Sequence, residues 1–179
     1  IFPEFALAVW ASRRVGRPVK WTCERSEAFL TDYQGRDLVS QCELALDAHG
    51  NFLGLRGTNL SNLGAYAAST IPLRKGLGIM TGLYRIPAAF FRGMATMSNT
   101  PPTAPYRSAG RPEVMFVIER LIDLAARTHG FDRIALRRRN LVRSTPYTNP
   151  FGVTYDTGDY LGTFEAVLEL ADWQGFAAR

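Results

Sequence analysis

Apolar and polar residues alternate along two neighbouring segments in the first third of the chain. The loose alternation over 39–46 predicts a strand, and 52–60 follows as its return strand. Residues 47–51, Asp-Ala-His-Gly-Asn, are typical of a hairpin turn between them. Further strands are predicted over 19–21 and 90–97.

Apolar residues at helical spacing mark two longer elements. Residues 3–14 predict a helix, because a proline suits its first turn and Gly16 ends the pattern. The strongest helical pattern opens at Pro112 and stops before Gly130.

Two aspartates stand where they can cap further helices. Asp132 precedes a helix predicted over 133–140, and Asp159 precedes one predicted over 160–173. Hairpin strands beside separate helices indicate an α+β fold, with mixed or antiparallel strands and segregated helices, rather than repeated β-α-β units.

The remaining segments carry loop-forming residues. We expect a solvated loop at 24–27 and loops at 64–66 and around Pro72. Residues 76–82 predict a flexible apolar stretch, and prolines make 99–111 a loop.

Length and composition point to a globular domain. The chain has 179 residues, of which 46% are hydrophobic and 21% charged. This fits one domain or two small lobes, with a junction near 100–111. No apolar run approaches the roughly 18–20 residues of a membrane span, and no signal peptide is visible. The chain begins at Ile1, so we expect residues 1–179 to be an internal fragment of a larger protein.

The charge is basic and consists mainly of arginine. The net charge is +5, the pI is about 9.6, and all but two of the 21 basic residues are arginines. A nucleic-acid surface is one interpretation. The arginines are scattered, however, and we interpret their densest run, 137–139, as a solvated helix face. Arginine also suits oxyanions, which leaves an anionic cofactor open.

The cysteines and histidines exclude the common protein-ligated metal sites. Cys23, Cys42, His49 and His129 lack the spacing of zinc, haem or iron–sulfur ligands. Any metal must therefore be held mainly by something other than protein side chains. We expect both cysteines to be reduced and structural.

The segment 103–113 carries the clearest chemistry. Small residues at 108–110 lead directly into the helix start at Pro112, where unsatisfied N–H groups and the helix dipole favour an anion. Arg107 and Arg111 add positive charge. On this physics the segment is either an anion-binding loop or a simple loop-to-helix junction.

The same segment resembles a known family. Residues 106–113 are similar to the A-Y-R-G-A-G-R-P-E signature in the large subunits of molybdenum hydroxylases. That family includes xanthine dehydrogenases, aldehyde oxidoreductases and carbon monoxide dehydrogenases. Other segments with counterparts in the family, in order and at compatible spacing, are 16–21, 62–66, 119–126, 136–141 and 155–160.

The resemblance implies a site and an activity. It makes the chain part of the molybdopterin-binding region of a subunit that hydroxylates an aldehyde or N-heterocycle with water-derived oxygen. The molybdenum–molybdopterin cofactor, in its cytosine dinucleotide form, would supply the metal's sulfur ligands, so no protein side chain here need bind the metal. The implied cofactor-binding residues are Tyr106, Arg107, Ser108, Ala109, Gly110 and Arg111.

Two positions depart from particular family members. Carbon monoxide dehydrogenases carry a copper-binding cysteine where this chain has Ser108, and a hydroxyl does not replace a thiolate for Cu(I). Xanthine enzymes place a phenylalanine where this chain has Ala109. The resemblance therefore implies no copper and a substrate other than xanthine.

Other parts of the family's active site are absent from this sequence. A G-G-G-F-G segment is expected upstream and the general-base glutamate, in a G-x-G-E motif, downstream. Glu113 is interpreted as a helix-start residue, so no catalytic residue is assigned and the fragment alone is expected to be inactive.

The resemblance also implies partners. These are iron–sulfur and FAD subunits or domains and a small-molecule substrate, with no nucleic acid, in an oligomer located in the cytoplasm or, alternatively, the periplasm. The competing functions are an anion or nucleic-acid binding module and a purely structural domain of the same subunit.

Overall fold

The computed structural model describes residues 3–178. The strands are β1 (Leu38–Leu46), β2 (Phe52–Asn62), β3 (Ala89–Thr96), β4 (Tyr147–Thr148) and β5 (Thr154–Tyr155). The helices are α1 (Pro3–Val15), α2 (Arg25–Thr31), α3 (Ile71–Leu77), α4 (Arg111–His129), α5 (Arg133–Asn140) and α6 (Tyr160–Leu170), followed by a 3-10 turn at Phe176–Ala178.

A mixed three-stranded sheet in the order β1-β2-β3 forms the centre of the fold. β1 and β2 are an antiparallel hairpin in which Leu44 lies opposite Leu55, and β3 runs parallel to β2. Half-buried and exposed side chains alternate along all of β1, as expected for a sheet with one covered face. The three long strands and the α+β class predicted from the sequence are confirmed. The parallel pair is joined through α3, which makes one β-α-β unit.

α4 covers the sheet with one apolar stripe. Its fully buried residues are Val114, Ile118, Ile122 and Ala126, each four residues after the last, which is the spacing of one helix face. They join one cluster with Phe52 and other buried residues of the sheet and of the segment after α3. The predicted helix that opens at Pro112 and ends before Gly130 is confirmed, and the candidate site lies at its start.

A polar network joins α5 to α4 through Arg137. Its guanidinium bonds Glu119 at 2.8 Å and Asp123 at 2.8 Å, and Glu119 also accepts a 2.6 Å bond from the Tyr84 hydroxyl. Burial and this contact with Glu119 raise the pKa of Tyr84, which keeps it protonated as the donor. The interpretation of 137–139 as a solvated face was wrong for Arg137, which is only 8% exposed because two carboxylates compensate its charge.

Both predicted aspartate caps are confirmed. Asp132 accepts bonds from the N–H groups of Ile134 at 3.0 Å and Ala135 at 2.6 Å at the start of α5. Asp159 accepts from Gly162 at 2.8 Å at the start of α6. These bonds satisfy N–H groups that the helix itself leaves without an acceptor.

A small hairpin, β4–β5, fastens the segment after α5 to the rest of the fold. Asn149 donates to the Gly78 carbonyl at 2.9 Å, and the Tyr155 hydroxyl donates to the Gly82 carbonyl at 2.7 Å. The segment 76–82, predicted to be a flexible apolar stretch, is therefore held by side-chain bonds, and Met80 within it is fully buried.

Three predicted elements were wrong. Residues 19–21, which the structure describes, carry no strand. The expected loop at 24–27 is instead the start of α2. Thr31, the last residue of this helix, donates its hydroxyl to the Glu27 carbonyl at 2.9 Å. The expected loop around Pro72 is α3, because proline is well tolerated in a first helical turn.

Large apolar side chains stay exposed on several elements. They are Phe5, Val9 and Trp10 on α1, Phe29 and Leu30 on α2, Phe90 on β3, Phe116 on α4 and Leu170 on α6. Nothing in α1, as far as the structure describes it, is fully buried. Within residues 3–178, no helix has both the length and the apolar character needed to cross a membrane.

Candidate functional site

The 106–111 loop, Tyr106 to Arg111, has an unusual backbone. Three consecutive residues have positive φ: Ser108 at 66°, Ala109 at 35° and Gly110 at 92°. Residues with a side chain rarely adopt this conformation, which costs each of them about 1–2 kcal/mol. Such a run persists only where neighbouring contacts impose it, and backbone conformations of this kind are concentrated at binding and catalytic sites.

Two hydrogen bonds within the loop maintain the run. The N–H of Ala109 donates to the Tyr106 carbonyl at 2.8 Å, and the N–H of Arg111 donates to the Ser108 carbonyl at 3.1 Å. The N–H groups of Arg107 and Ser108 have no acceptor among residues 3–178. The loop therefore keeps free backbone donors next to the first turn of α4.

α3 forms the floor beneath the loop. A Cβ on Gly110 would lie 1.9 Å from the Pro72 carbonyl oxygen and 3.1 Å from the Gly76 nitrogen. A Cβ on Gly76 would in turn lie 2.8 Å from a methyl of Val114 and 3.0 Å from the Gly110 oxygen. Glycine at both positions lets the two backbones touch, and this contact seats the loop on α3.

A segment before β1 supports the other side of the loop. The Gln34 N–H donates to the Pro102 carbonyl, and the Ala104 N–H donates to the Gln34 carbonyl, both at 2.9 Å. These bonds form a short parallel bridge that brings residues 34–36 beside the loop. Sequence reasoning did not find this contact, since nothing in the spacing of the chain connects positions about 70 residues apart.

The bridge places the charged residue Arg36 beside the loop. It donates to the Arg107 carbonyl at 2.7 Å and to the Glu113 carboxylate at 3.0 Å. Its guanidinium carbon lies 5.3 Å from the centre of the Tyr106 ring. Glu113 stands in the first turn of α4, which confirms its interpretation as a helix-start residue, but its pairing with Arg36 was not anticipated.

The predicted site residues divide into a supported and an exposed part. Gly110 is buried against α3 and Ala109 is half-buried, whereas Tyr106, Arg107, Ser108 and Arg111 are exposed. The exposed part combines free N–H groups, two guanidinium groups and the positive end of α4. This combination is suited to an oxygen-rich anion.

The described residues offer no alternative metal centre. Over residues 3–178 there is no group of three or more His, Cys, Asp or Glu side chains that could hold an ion. Both cysteines are free thiols, and burial raises the pKa of Cys42 to about 11, so it is protonated at neutral pH. Neither Cys23 nor Cys42 forms a disulfide among the described residues, and their reduced state stays a prediction.

Comparison with known proteins identifies the family of this chain. The family model of the molybdopterin cofactor-binding domain matches residues 1–141. The gamma subunit of the 6-hydroxypseudooxynicotine dehydrogenase complex of Paenarthrobacter nicotinovorans is 37% identical over 97% of this chain and 23% of its own length. The carbon monoxide dehydrogenase large chain of Hydrogenophaga pseudoflava is 35% identical over 100% of this chain and 23% of its own length.

Solved structures agree with the sequence comparison. The quinoline 2-oxidoreductase of Pseudomonas putida 86 superposes with a TM-score of 0.90 at 33% identity, over 99% of this chain and 23% of that one. The fold therefore matches a segment of these larger proteins. The chain belongs to the molybdopterin cofactor-binding domain family, and it spans about 23% of the length of the relatives it matches.

Proposed function

We propose that the 106–111 loop binds the molybdenum–molybdopterin cofactor of a larger subunit, which hydroxylates an aldehyde or N-heterocycle with oxygen from water. The observation that carries this proposal is the run of positive φ values in a loop that presents free N–H groups beside two arginines. It lies inside the segment that matches the family.

The residues present fit an anionic cofactor that brings its own metal ligands. Tyr106, Arg107, Ser108, Ala109, Gly110 and Arg111 would hold the group. When bound, it supplies the metal and the two-electron oxidation of the substrate. The chain contributes backbone donors, guanidinium charge and the helix dipole, none of which requires a thiolate or an imidazole.

The residues of the loop limit the class of substrate. Ser108 provides no soft ligand for Cu(I), so the proposed enzyme contains no copper and oxidises little carbon monoxide. Ala109 is too small for the aromatic clamp expected of an enzyme that acts on xanthine. Among relatives, a nicotine 6-hydroxylase and the quinoline oxidoreductase have names that refer to N-heterocycles, which supports this class of substrate.

The remaining parts of the enzyme lie outside this chain. The general-base glutamate belongs to the missing remainder, so the segment alone is inactive. The cofactor is the cytosine dinucleotide form, and electrons leave through iron–sulfur and FAD subunits or domains of a cytoplasmic oligomer. The exposed apolar side chains of α1 and α2 are covered by the rest of that assembly.

Five of the described arginines are paired with carboxylates and add little to a nucleic-acid binding surface. Within residues 3–178, five arginines form ion pairs with carboxylates: Arg36, Arg56, Arg133, Arg137 and Arg138. Their charge is neutralised locally, so they do not form the continuous basic surface that such binding needs.

A double substitution in the full-length complex tests the proposal. Arg107→Gln with Arg111→Gln should lower the molybdenum content by about tenfold, because two charges beside the bound anion are lost. Arg120→Gln is the control, since this exposed arginine lies on α4 beyond the loop. If the double variant retains its molybdenum and its activity, the loop is scaffold only.

A further inference from the structure

Arg36 contacts three different parts of the site with one side chain. Its guanidinium bonds the Arg107 carbonyl and the Glu113 carboxylate and lies over the Tyr106 ring. Arg36 itself has a positive φ of 58°, a conformation that is unfavourable alone and persists where surrounding contacts impose it. These contacts join the segment before β1, the loop and the first turn of α4.

The bond to the Arg107 carbonyl constrains the peptide that the loop's own bonds leave free. The carbonyls of Tyr106 and Ser108 are both fixed inside the loop, by Ala109 and Arg111. Between them, the Arg107 carbonyl has Arg36 as its only partner among the described residues. The orientation of the Arg107–Ser108 peptide therefore depends on Arg36.

That orientation decides where a free donor points. In a planar trans peptide, the carbonyl oxygen of one residue and the N–H of the next point in opposite directions. When Arg36 holds the Arg107 oxygen, it turns the Ser108 N–H away from itself. This N–H is one of the backbone donors of the loop that have no acceptor among the described residues.

Glu113 and Tyr106 hold the guanidinium in place. The Glu113 carboxylate is largely buried, with a side-chain exposure of 12%, so the ion pair is sheltered from solvent. A planar fork can satisfy a carbonyl and a carboxylate together while stacking on a ring. A lysine ammonium, a single point charge, reproduces only part of this arrangement.

We propose that Arg36 is a positioning residue that, through the Arg107 carbonyl, keeps the Ser108 N–H presented to the anionic cofactor. This inference rests on the proposed function of the 106–111 loop. It predicts that loss of Arg36 lowers the turnover of each bound cofactor, beyond any effect on the amount of folded enzyme.

The test compares four forms of the full-length complex: wild type, Arg36→Met, Arg36→Lys and the control Arg56→Met. Arg56 also forms an ion pair, with Glu43, but it lies on β2 and contacts no residue of the loop among those described. Turnover per bound molybdenum, KM and the Mo(V) resonance spectrum are measured on the loaded complex. Amide hydrogen exchange is followed on the complex prepared without cofactor.

For Arg36→Met we expect turnover per molybdenum to fall on the order of 10- to 100-fold, with KM unchanged within about twofold and an altered Mo(V) spectrum. In the cofactor-free complex, the amides of Ala109 and Arg111 should exchange about tenfold faster than in wild type. Arg36→Lys should recover part of both effects, and Arg56→Met should match wild type.

Two results would overturn the inference. One is an Arg36→Met complex with wild-type turnover per molybdenum and wild-type loop exchange. The other is lower activity that follows molybdenum content alone, because that pattern belongs to a merely structural residue. If Arg36→Met does not assemble, the same criteria apply to Arg36→Lys. A wild-type complex without molybdenum contradicts the proposed function, whereas the exchange measurement still tests whether Arg36 orders the loop.

Discussion

Replacing Gly110 with alanine tests how closely the 106–111 loop is built onto α3. The new Cβ would stand 1.9 Å from the Pro72 carbonyl oxygen, which is backbone and cannot rotate away. Alanine also has to adopt a φ of 92°. The conformation costs about 1–2 kcal/mol and the forced backbone shift a similar amount, so we expect a loss of about 3 kcal/mol.

Gly130→Ala provides the matched control. Gly130 also has a positive φ, at 72°, but a Cβ there meets nothing within 4 Å, so only the conformational cost of about 1 kcal/mol applies. Urea denaturation and molybdenum content of the full-length subunit are measured for both variants. Gly110→Ala should lose more stability and most of its molybdenum, whereas Gly130→Ala should retain the metal. Equal losses in the two variants would refute the close contact between loop and α3.

Three further predictions concern the surrounding fold. Arg137→Met should lower the free energy of unfolding in urea by about 2–3 kcal/mol, because it leaves a buried polar network without its cation. Arg138→Met removes an exposed ion pair and should cost less than about 1 kcal/mol. Similar costs for the two variants would contradict the stabilising role of the buried network. Burial alone would raise the pKa of Asp123, but its hydrogen bond and charge interaction with Arg137 lower it. The ionised carboxylate therefore stabilises the fold at pH values above its unfolded pKa near 4. This stabilisation is lost as the pH falls through the lower, folded pKa. Asp123→Asn should therefore flatten the loss of stability between about pH 5 and pH 3 relative to wild type, and an unchanged slope in urea midpoints would argue against it. Cys42, with its pKa raised to about 11 by burial, should label slowly with a thiol reagent at pH 8 until the protein is denatured, and rapid native labelling would show that the thiol is not sheltered.

Short-range patterns account for the parts of the fold that were predicted correctly. The hairpin of β1 and β2 follows from alternation on either side of a turn, and α4 follows from its four-residue apolar spacing. The caps at Asp132 and Asp159 depend on bonds to residues two or three positions away. All of these signals act within a few residues of one another, so the sequence displays them directly.

The elements that were missed depend on contacts between distant segments. α3 has a proline in its first turn and contains a glycine, so its packing against the loop, rather than its own propensity, determines its role. Arg137 looked solvated because its two carboxylate partners lie on another helix. On β3, Phe90 is 68% exposed, while its neighbour Phe91 packs against the core.

The 106–111 loop also combines features set by short-range sequence signals with features set by contacts between distant segments. Its residues and its position before α4 could be predicted from the sequence and its resemblance to the family. The positive φ values at Ser108 and Ala109 could not, because neither residue favours that conformation by itself. Arg36 gave no sequence signal, since it reaches the site through a bridge between segments 34–36 and 102–104.

The most direct test of the account is elemental analysis of the full-length parent protein, purified with its natural partners from its own host. We expect about one molybdenum per large subunit, together with iron and without copper. A folded and correctly matured preparation that contains no molybdenum would contradict it, and the 106–111 loop would then belong to a binding or structural domain that does not carry the cofactor.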